Sequence, residues 1–233
     1  MTKAGTIYQL SFMPRVFPVN CYLVEEEDGL TLIDAALPYS AKGIEKAARI
    51  IGKPIKRIII THAHDDHVGA LDRLKQSMPD IHVSISSREA ALLAGNSALL
   101  ESEHSPIRGG IPKNIQTRPD SLLEEGDRIG SLEVILTPGH TPGSISLIDI
   151  RNHGLIVGDA LQTRGGTAVN GVIKPLFPFP SLATWDKRIA LESAKKILNY
   201  NPSLLAVGHG RMLERPENSM SRAIMEAETR LQQ

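Results

Sequence analysis

The apolar residues fall into short strand-like runs and longer helical stripes, and this order occurs twice along the chain. Thr6 to Phe12 and Asn20 to Glu26 are rich in β-branched and aromatic residues, and Leu30 to Asp34 follows Asp28-Gly29, the dipeptide of a tight hairpin turn. From Ser40 to Ile51, the apolar residues Ile44, Ala47, Ala48 and Ile51 recur at helical spacing, and Gly52 ends the stripe. Ile55 to Thr61 reads as a strand whose Ile58-Ile59-Ile60 run predicts burial on both faces. A helix from Asp66 to Ser77, a strand from Ile81 to Ile85 and a short helix from Arg88 to Ala94 follow. Residues 95–120 hold Gly, Pro and Ser with little periodicity, and loops of that length are usually functional or mobile.

The second half predicts strands at Leu132 to Thr137, Ser144 to Ile150 and Leu155 to Gly158. A Gly/Pro-rich stretch, Thr163 to Pro180, leads to a helix capped by Ser181 and running to Leu198. Leu204 to Val207 is a last buried strand and Arg215 to Gln232 a last helix. Strands then helices, given twice, predict two β-rich halves, each covered by helices. No linker interrupts them, so residues 1–233 read as a single domain.

Composition narrows the function classes. The chain has 233 residues, 41% of them hydrophobic, enough for a sizeable core without staples. Lys plus Arg and Asp plus Glu number 26 each, so net charge gives no reason to expect nucleic acid or an anionic membrane as partner. Cys21 is the only cysteine, which excludes an intrachain disulfide and reads as a small buried strand residue. No apolar run approaches a bilayer span, and the N-terminal residues lack an export signal, so a cytoplasmic location and a small-molecule substrate are expected. The number of subunits stays open, a homodimer among the alternatives.

The candidate chemistry is concentrated in His62-Ala63-His64-Asp65-Asp66-His67, where a buried strand meets a helix. His62 and His64 are two apart and point the same way in extended backbone, while Asp66 and His67 begin the helix and turn back toward the same point. Imidazole and carboxylate together suit zinc, and also iron or manganese. Three further polar residues stand beside glycine at predicted strand ends: His140 in TPGHTPG, Asp159 in VGD and His209 in VGHG. Glycine permits close backbone approach there.

Taken together, HAHDDH, TPGHTPG, GDA and GHG, in that order, resemble the motifs of the metallo-β-lactamase superfamily, and the resemblance covers nearly the whole chain. It implies a four-layer αβ/βα sandwich, an α/β (α+β) fold with two mixed β-sheets and helices on the outer faces. It also implies two divalent ions, most often zinc. His62, His64 and His140 would hold one, Asp66, His67 and His209 the other, and Asp159 would bridge both. Asp66 is in addition the candidate catalytic group, orienting the nucleophile or shuttling a proton. Asp34 reads equally as an outer partner of a ligand loop or as a helix cap, and Asn20 as a residue facing the cleft. His82, His104 and His153 match no motif and read as surface residues.

Departures narrow the resemblance. Asp159 stands where many antibiotic-degrading members have Cys, and is similar to the bridging Asp of glyoxalase II and lactonases. The helical glutathione-binding region of glyoxalase II has no counterpart after His209, and Gln162 replaces the Tyr common three residues after the bridging Asp in quorum-quenching lactonases. Leu161 to Pro180, with Leu176, Phe177 and Phe179, is expected to border the cleft, and Leu99, Leu100 and Ile107 to form an opposite wall. The expectation is a hydrolase of a small ester, thioester or lactone. The alternatives are a mononuclear iron dioxygenase of persulfides, for which Asp66, His67 and His209 would be superfluous, and a non-catalytic metal-bound regulatory protein.

Overall fold

The computed structural model describes residues 1–232. The first sheet is formed by β1 (Thr2–Ala4), β2 (Ile7–Phe12), β3 (Val19–Glu25), β4 (Leu30–Ile33), β5 (Ile55–Ile60), β6 (His82–Ser86) and β7 (Ser121–Leu123), in that spatial order. Its first four strands are antiparallel neighbours, and β4 through β7 run parallel. Helices α1 (Ala41–Ile51), α2 (Asp65–Val68), α3 (Leu71–Ser77) and α4 (Ser87–Leu93) supply the connections between the parallel strands. The second sheet holds β8 (Arg128–Ile129), β9 (Leu132–Leu136), β10 (Ile145–Asp149) and β11 (Gly154–Ile156). A two-stranded ribbon, β12 (Leu161–Gln162) with β13 (Ala168–Val169), then leads to α5 (Phe179–Leu182) and α6 (Lys187–Leu198). The chain ends with β14 (Leu204–Ala206), β15 (Leu213–Glu214) and α7 (Glu217–Leu231). The second sheet is ordered β15-β14-β11-β10-β9-β8, with β11 and β14 parallel.

Alternation along the strands shows how the layers stack. Ile58 and Ile60 of β5 join Leu23, Leu32, Val83 and Ile85 in a core beneath Ile44, Leu71, Leu74 and Leu92 of the helices. Ile59, between them, points the other way and packs with Tyr22, Val24 and Ile33 against Val134, Ile145, Leu147 and Ile156 of the second sheet. On the far side, Ile135, Ile148, Leu155 and Leu205 pack under Ala190, Ala194, Ile197, Met220 and Ile224 of α6 and α7. The result is helix, sheet, sheet, helix, with the two sheets face to face over an apolar layer, as expected from the sequence.

Two expected helices differ in detail. The stretch from Asp66 to Ser77 is broken into α2 and α3 around Gly69-Ala70, because Gly69 N donates to Ala36 O and a Cβ at Gly69 would collide with Pro38. Ser181 does not cap the long helix. It lies in α5, and Asp186 caps α6 by accepting from the backbone N–H of Arg188 and Ile189. The short strands β1, β7, β8, β12, β13 and β15 carry too few residues to show a period.

Candidate metal centre

The site lies at one edge of the two sheets, where strands from both end. Asp34 follows β4, the His62–His67 run follows β5, His140 lies in the β9–β10 connection, Asp159 follows β11 and His209 follows β14. Backbone bonds join the sheets here: Ile145 N donates to Thr61 O at 3.0 Å and Asn20 N to Gly208 O at 2.9 Å. Gly208 is a position where only glycine fits, since a Cβ there would overlap Asp159 Oδ1 and press on the His67 ring.

All seven candidate residues converge. His62, His64 and His140 form one group and Asp66, His67 and His209 another, with one ligand atom from each residue within 4.8 Å of the others in its group. Asp159 lies between the groups: Oδ2 is 3.3 Å from His140 Nε2 and 3.2 Å from His209 Nε2, and Oδ1 is 3.5 Å from His67 Nε2. Six of the seven are buried; Asp66 alone keeps substantial exposure, 25% of its side chain.

Each imidazole commits its outer nitrogen to a protein acceptor. His67 Nδ1 donates to Asp34 Oδ2 at 2.8 Å, His209 Nδ1 to Pro18 O at 2.6 Å and His64 Nε2 to Arg108 O at 2.8 Å. The Thr61 hydroxyl donates to Asp34 Oδ2, leaving its oxygen to accept from His62 Nδ1 at 3.1 Å. The Thr184 hydroxyl donates to Pro180 O and likewise accepts from His140 Nδ1 at 3.2 Å. The inner nitrogens are therefore lone-pair donors, the state in which imidazole ligates a metal. His62 Nε2, His67 Nε2 and Asp159 Oδ1 are buried without any hydrogen-bond partner. His64 Nδ1 and His140 Nε2 face each other at 3.0 Å with their protons turned outward. Two lone pairs at that separation repel unless a cation lies between them. Tetrahedral zinc bound by imidazole nitrogens would place them roughly 3.3 Å apart, so the residues fit a divalent ion.

Electrostatics agree. Burial, aided by neighbouring imidazoles, holds His62 well below the usual range, and burial does the same to His140 against the pull of Asp159. Burial also opposes a charge on His67, but Asp34, Asp66 and Asp159 together raise it to about 10. Burial would raise Asp159, yet His209, His67 and His140 hold it well below the usual carboxylate range. Asp34, Asp66 and Asp159 thus favour a positive charge at the second group, carried by a proton on His67 or by a cation that displaces it, while the nitrogens of His62 and His140 stay neutral.

Several expectations resolve here. Asp34 is not a helix cap, since α1 begins after Ser40. Its Oδ1 accepts from Thr61 N and its Oδ2 from Thr61 Oγ1 and His67 Nδ1. Asn20 does not face an open cleft: it is fully buried and its Nδ2 donates to Val207 O and Gly210 O, bracing the His209 loop from behind. Gln162 is also buried, its Nε2 donating to Phe177 O and Arg164 O. The Leu161 to Pro180 segment does reach the centre. The Phe177 ring lies 5.4 Å from His209, the Phe17 ring 5.2 Å from it, and Phe179 packs on both phenylalanines. Leu176 is exposed, as are Leu99 and Leu100, whereas Ile107 packs on the first core. His82, His104 and His153 are exposed, and Cys21 is buried. Sequence reasoning missed Thr184 and the carbonyls of Pro18 and Arg108. A lone Thr and two backbone oxygens leave no pattern to find.

The chain matches the family model described as Metallo-beta-lactamase superfamily over residues 14–209, a span that closes on the last of the seven candidates. The Bacillus subtilis (strain 168) protein YobT is 55% identical over 228 residues, 97% of this chain and 98% of that one. From the same organism, the protein named Probable metallo-hydrolase YflN is 32% identical over 82% of this chain and 80% of its own. Among solved structures, TTHA1623 in a di-iron-bound form superposes with a TM-score of 0.67 at 26% identity, covering 91% of this chain and 96% of that one. No helix among the described residues is long and apolar enough to cross a membrane.

Proposed function

The chain belongs to the metallo-β-lactamase superfamily, and from that premise we propose that it is a dinuclear hydrolase of a small ester, thioester or lactone, of the branch with a bridging aspartate. The observation that carries this reading is the convergence of two complete ligand groups around Asp159. His62, His64 and His140 would hold one ion and Asp66, His67 and His209 the second, with Asp159 available to both. Two zinc ions bound there would lower the pKa of a shared water toward neutrality and polarise the substrate's carbonyl oxygen.

The chain's own residues supply the rest. The outer acceptors fix each imidazole's tautomer and aim. Asp66, beside His67 and His209 and partly open to solvent, would orient the attacking water and take its proton in this reading. The rings of Phe17, Phe177 and Phe179 make an apolar wall beside His209. They exclude water from that side and favour a substrate with a hydrophobic acyl group.

The second ligand group also separates this reading from a one-iron dioxygenase, which would leave Asp66, His67 and His209 without a task. YflN, by its name, and TTHA1623, by its pair of irons, are in keeping with a two-metal hydrolase. The test is elemental analysis of the purified protein coupled to an ester, thioester and lactone panel. Two ions per chain with turnover of at least one class is the expected result. One iron per chain with oxygen uptake overturns it, and so does a fully loaded protein inert on the whole panel.

A further inference from the structure

Glu89 is a fully buried carboxylate at this edge of the molecule that none of the foregoing uses. It stands in the first turn of α4. Its Oε2 accepts from Ala63 N at 2.7 Å and its Oε1 from Gly143 N at 2.9 Å. Arg88, its neighbour, turns its guanidinium to Glu103 instead, at 2.6 and 2.8 Å. Burial raises the Glu89 carboxyl, and bonds from Thr141, Ala63 and Gly143 pull the other way.

The two backbone donors are not arbitrary positions. Ala63 is the residue between His62 and His64, and Gly143 follows His140 by three. One carboxylate therefore ties the first sheet's ligand loop to the second sheet's. The same turn of α4 grips the other side of Gly143, since Ser86 Oγ donates to Gly143 O at 2.6 Å. The approach is so close that a Cβ on Gly143 would lie 2.7 Å from Arg88 Cβ and 2.9 Å from Glu89 Oε1. Bonds from N–H to a charged carboxylate are shorter and stronger than neutral ones. An apolar side chain there would leave the Ala63 and Gly143 N–H groups buried without an acceptor.

We propose that Glu89 is a positioning residue for the first metal position. It holds the His62–His64 loop at a fixed distance from the His140 loop, and so sets the affinity of that triad without touching metal or substrate. The inference rests on the reading that His62, His64 and His140 hold an ion. His64 Nδ1 and His140 Nε2, 3.0 Å apart, come from different sheets, and Glu89 bonds to the backbone of both their loops.

Zinc titration of the metal-stripped full chain against a chromophoric chelator tests it, with activity left aside. Wild-type protein is expected to show two binding steps. Glu89→Gln is expected to weaken one step about 10- to 100-fold, the range for outer partners of metal ligands, and to leave the other unchanged. Glu89→Asp, which keeps the charge but is one methylene short of spanning both loops, is expected to show the same selective loss. Leu92→Ala, a core truncation in the same helix, should lower the melting temperature and leave both steps intact. The proposal is overturned if a folded Glu89 variant keeps both wild-type steps, if Leu92→Ala reproduces the selective loss, or if neither Glu89 variant folds. Wild-type protein that binds fewer than two ions overturns the functional reading and this one with it. Two ions in the wild type with unaltered variants overturns this one alone.

Discussion

Each imidazole at the centre divides its two nitrogens between an outer acceptor and the cage, so a substitution can act on either side. His64→Ala removes an inner donor. It should abolish one of the two bound ions and lower hydrolysis by more than about 100-fold, beyond what loss of an outer partner costs. Elemental analysis and far-UV circular dichroism would show the missing ion on an otherwise intact fold. Asp34→Asn acts from outside: the new amide turns an N–H toward donors that now meet a carboxylate. Because Asn tolerates the left-handed backbone at this position (φ 62°) as Asp does, the change should leave the fold in place. Metal affinity should drop about 10- to 100-fold, read by chelator competition. The seven candidate residues that converge here were legible in the sequence because clustered His and Asp after an apolar strand have few structural uses. Asp34 was half legible, since an aspartate after a strand serves a cap or a ligand equally well. Glu89 was not legible at all, because a lone glutamate at the third position of a short helix looks like a capping residue.

At the scale of elements, the stretch from 95 to 120 is long but firmly attached. Trp185 Nε1 donates to Ser105 O at 2.7 Å, and Arg88 with Glu103 pins its beginning. At its end, Asp72 of α3 accepts from Gln116 N, Thr117 N and Thr117 Oγ1. Burial raises the Asp72 carboxyl, but those bonds outweigh it and the pKa is lowered. A carboxyl whose folded pKa lies below its unfolded value of about 3.9 adds stability that is full above that value and fades as pH falls through the lower one. Asp72→Ala should therefore cost about 1 kcal/mol near neutrality, the figure kept small because the group is partly solvent-screened. The gap between variant and wild type in melting temperature should shrink below about pH 4. Its lack of period marks this stretch as a loop, functional or mobile, but tethers made to backbone atoms leave no sign in the sequence. The same limit explains α6. Both Ser181 and Asp186 are good caps by residue type; Ser181 lies inside α5, and the backbone bonds of Trp185 N to His140 O and Asp186 N to Gly139 O hold the chain extended at the later one.

Over the whole molecule, the layer between the sheets joins the two halves, and ions held at the proposed centre would do related work. Ile59→Ala, in the middle of that layer, should cost about 2–5 kcal/mol by leaving a cavity, measured by urea unfolding. Stripping the ions should lower the melting temperature by roughly 5–10 °C relative to protein at a hundredfold excess over Kd, measured by calorimetry with and without chelator. The layering itself was legible, because Ile58-Ile59-Ile60 has to face apolar partners on both sides. Strand order was not, since it depends on which short edges meet. His62, His64, Asp66 and His67 are translated early, while His140, Asp159 and His209 come from the later half. A nascent chain therefore carries an incomplete cage until His209 has left the ribosome. An ion shared by the whole set would be acquired only once His209 is in place, and its identity would depend on the metals available in its surroundings at that moment as well as on the preference of five imidazoles and two carboxylates.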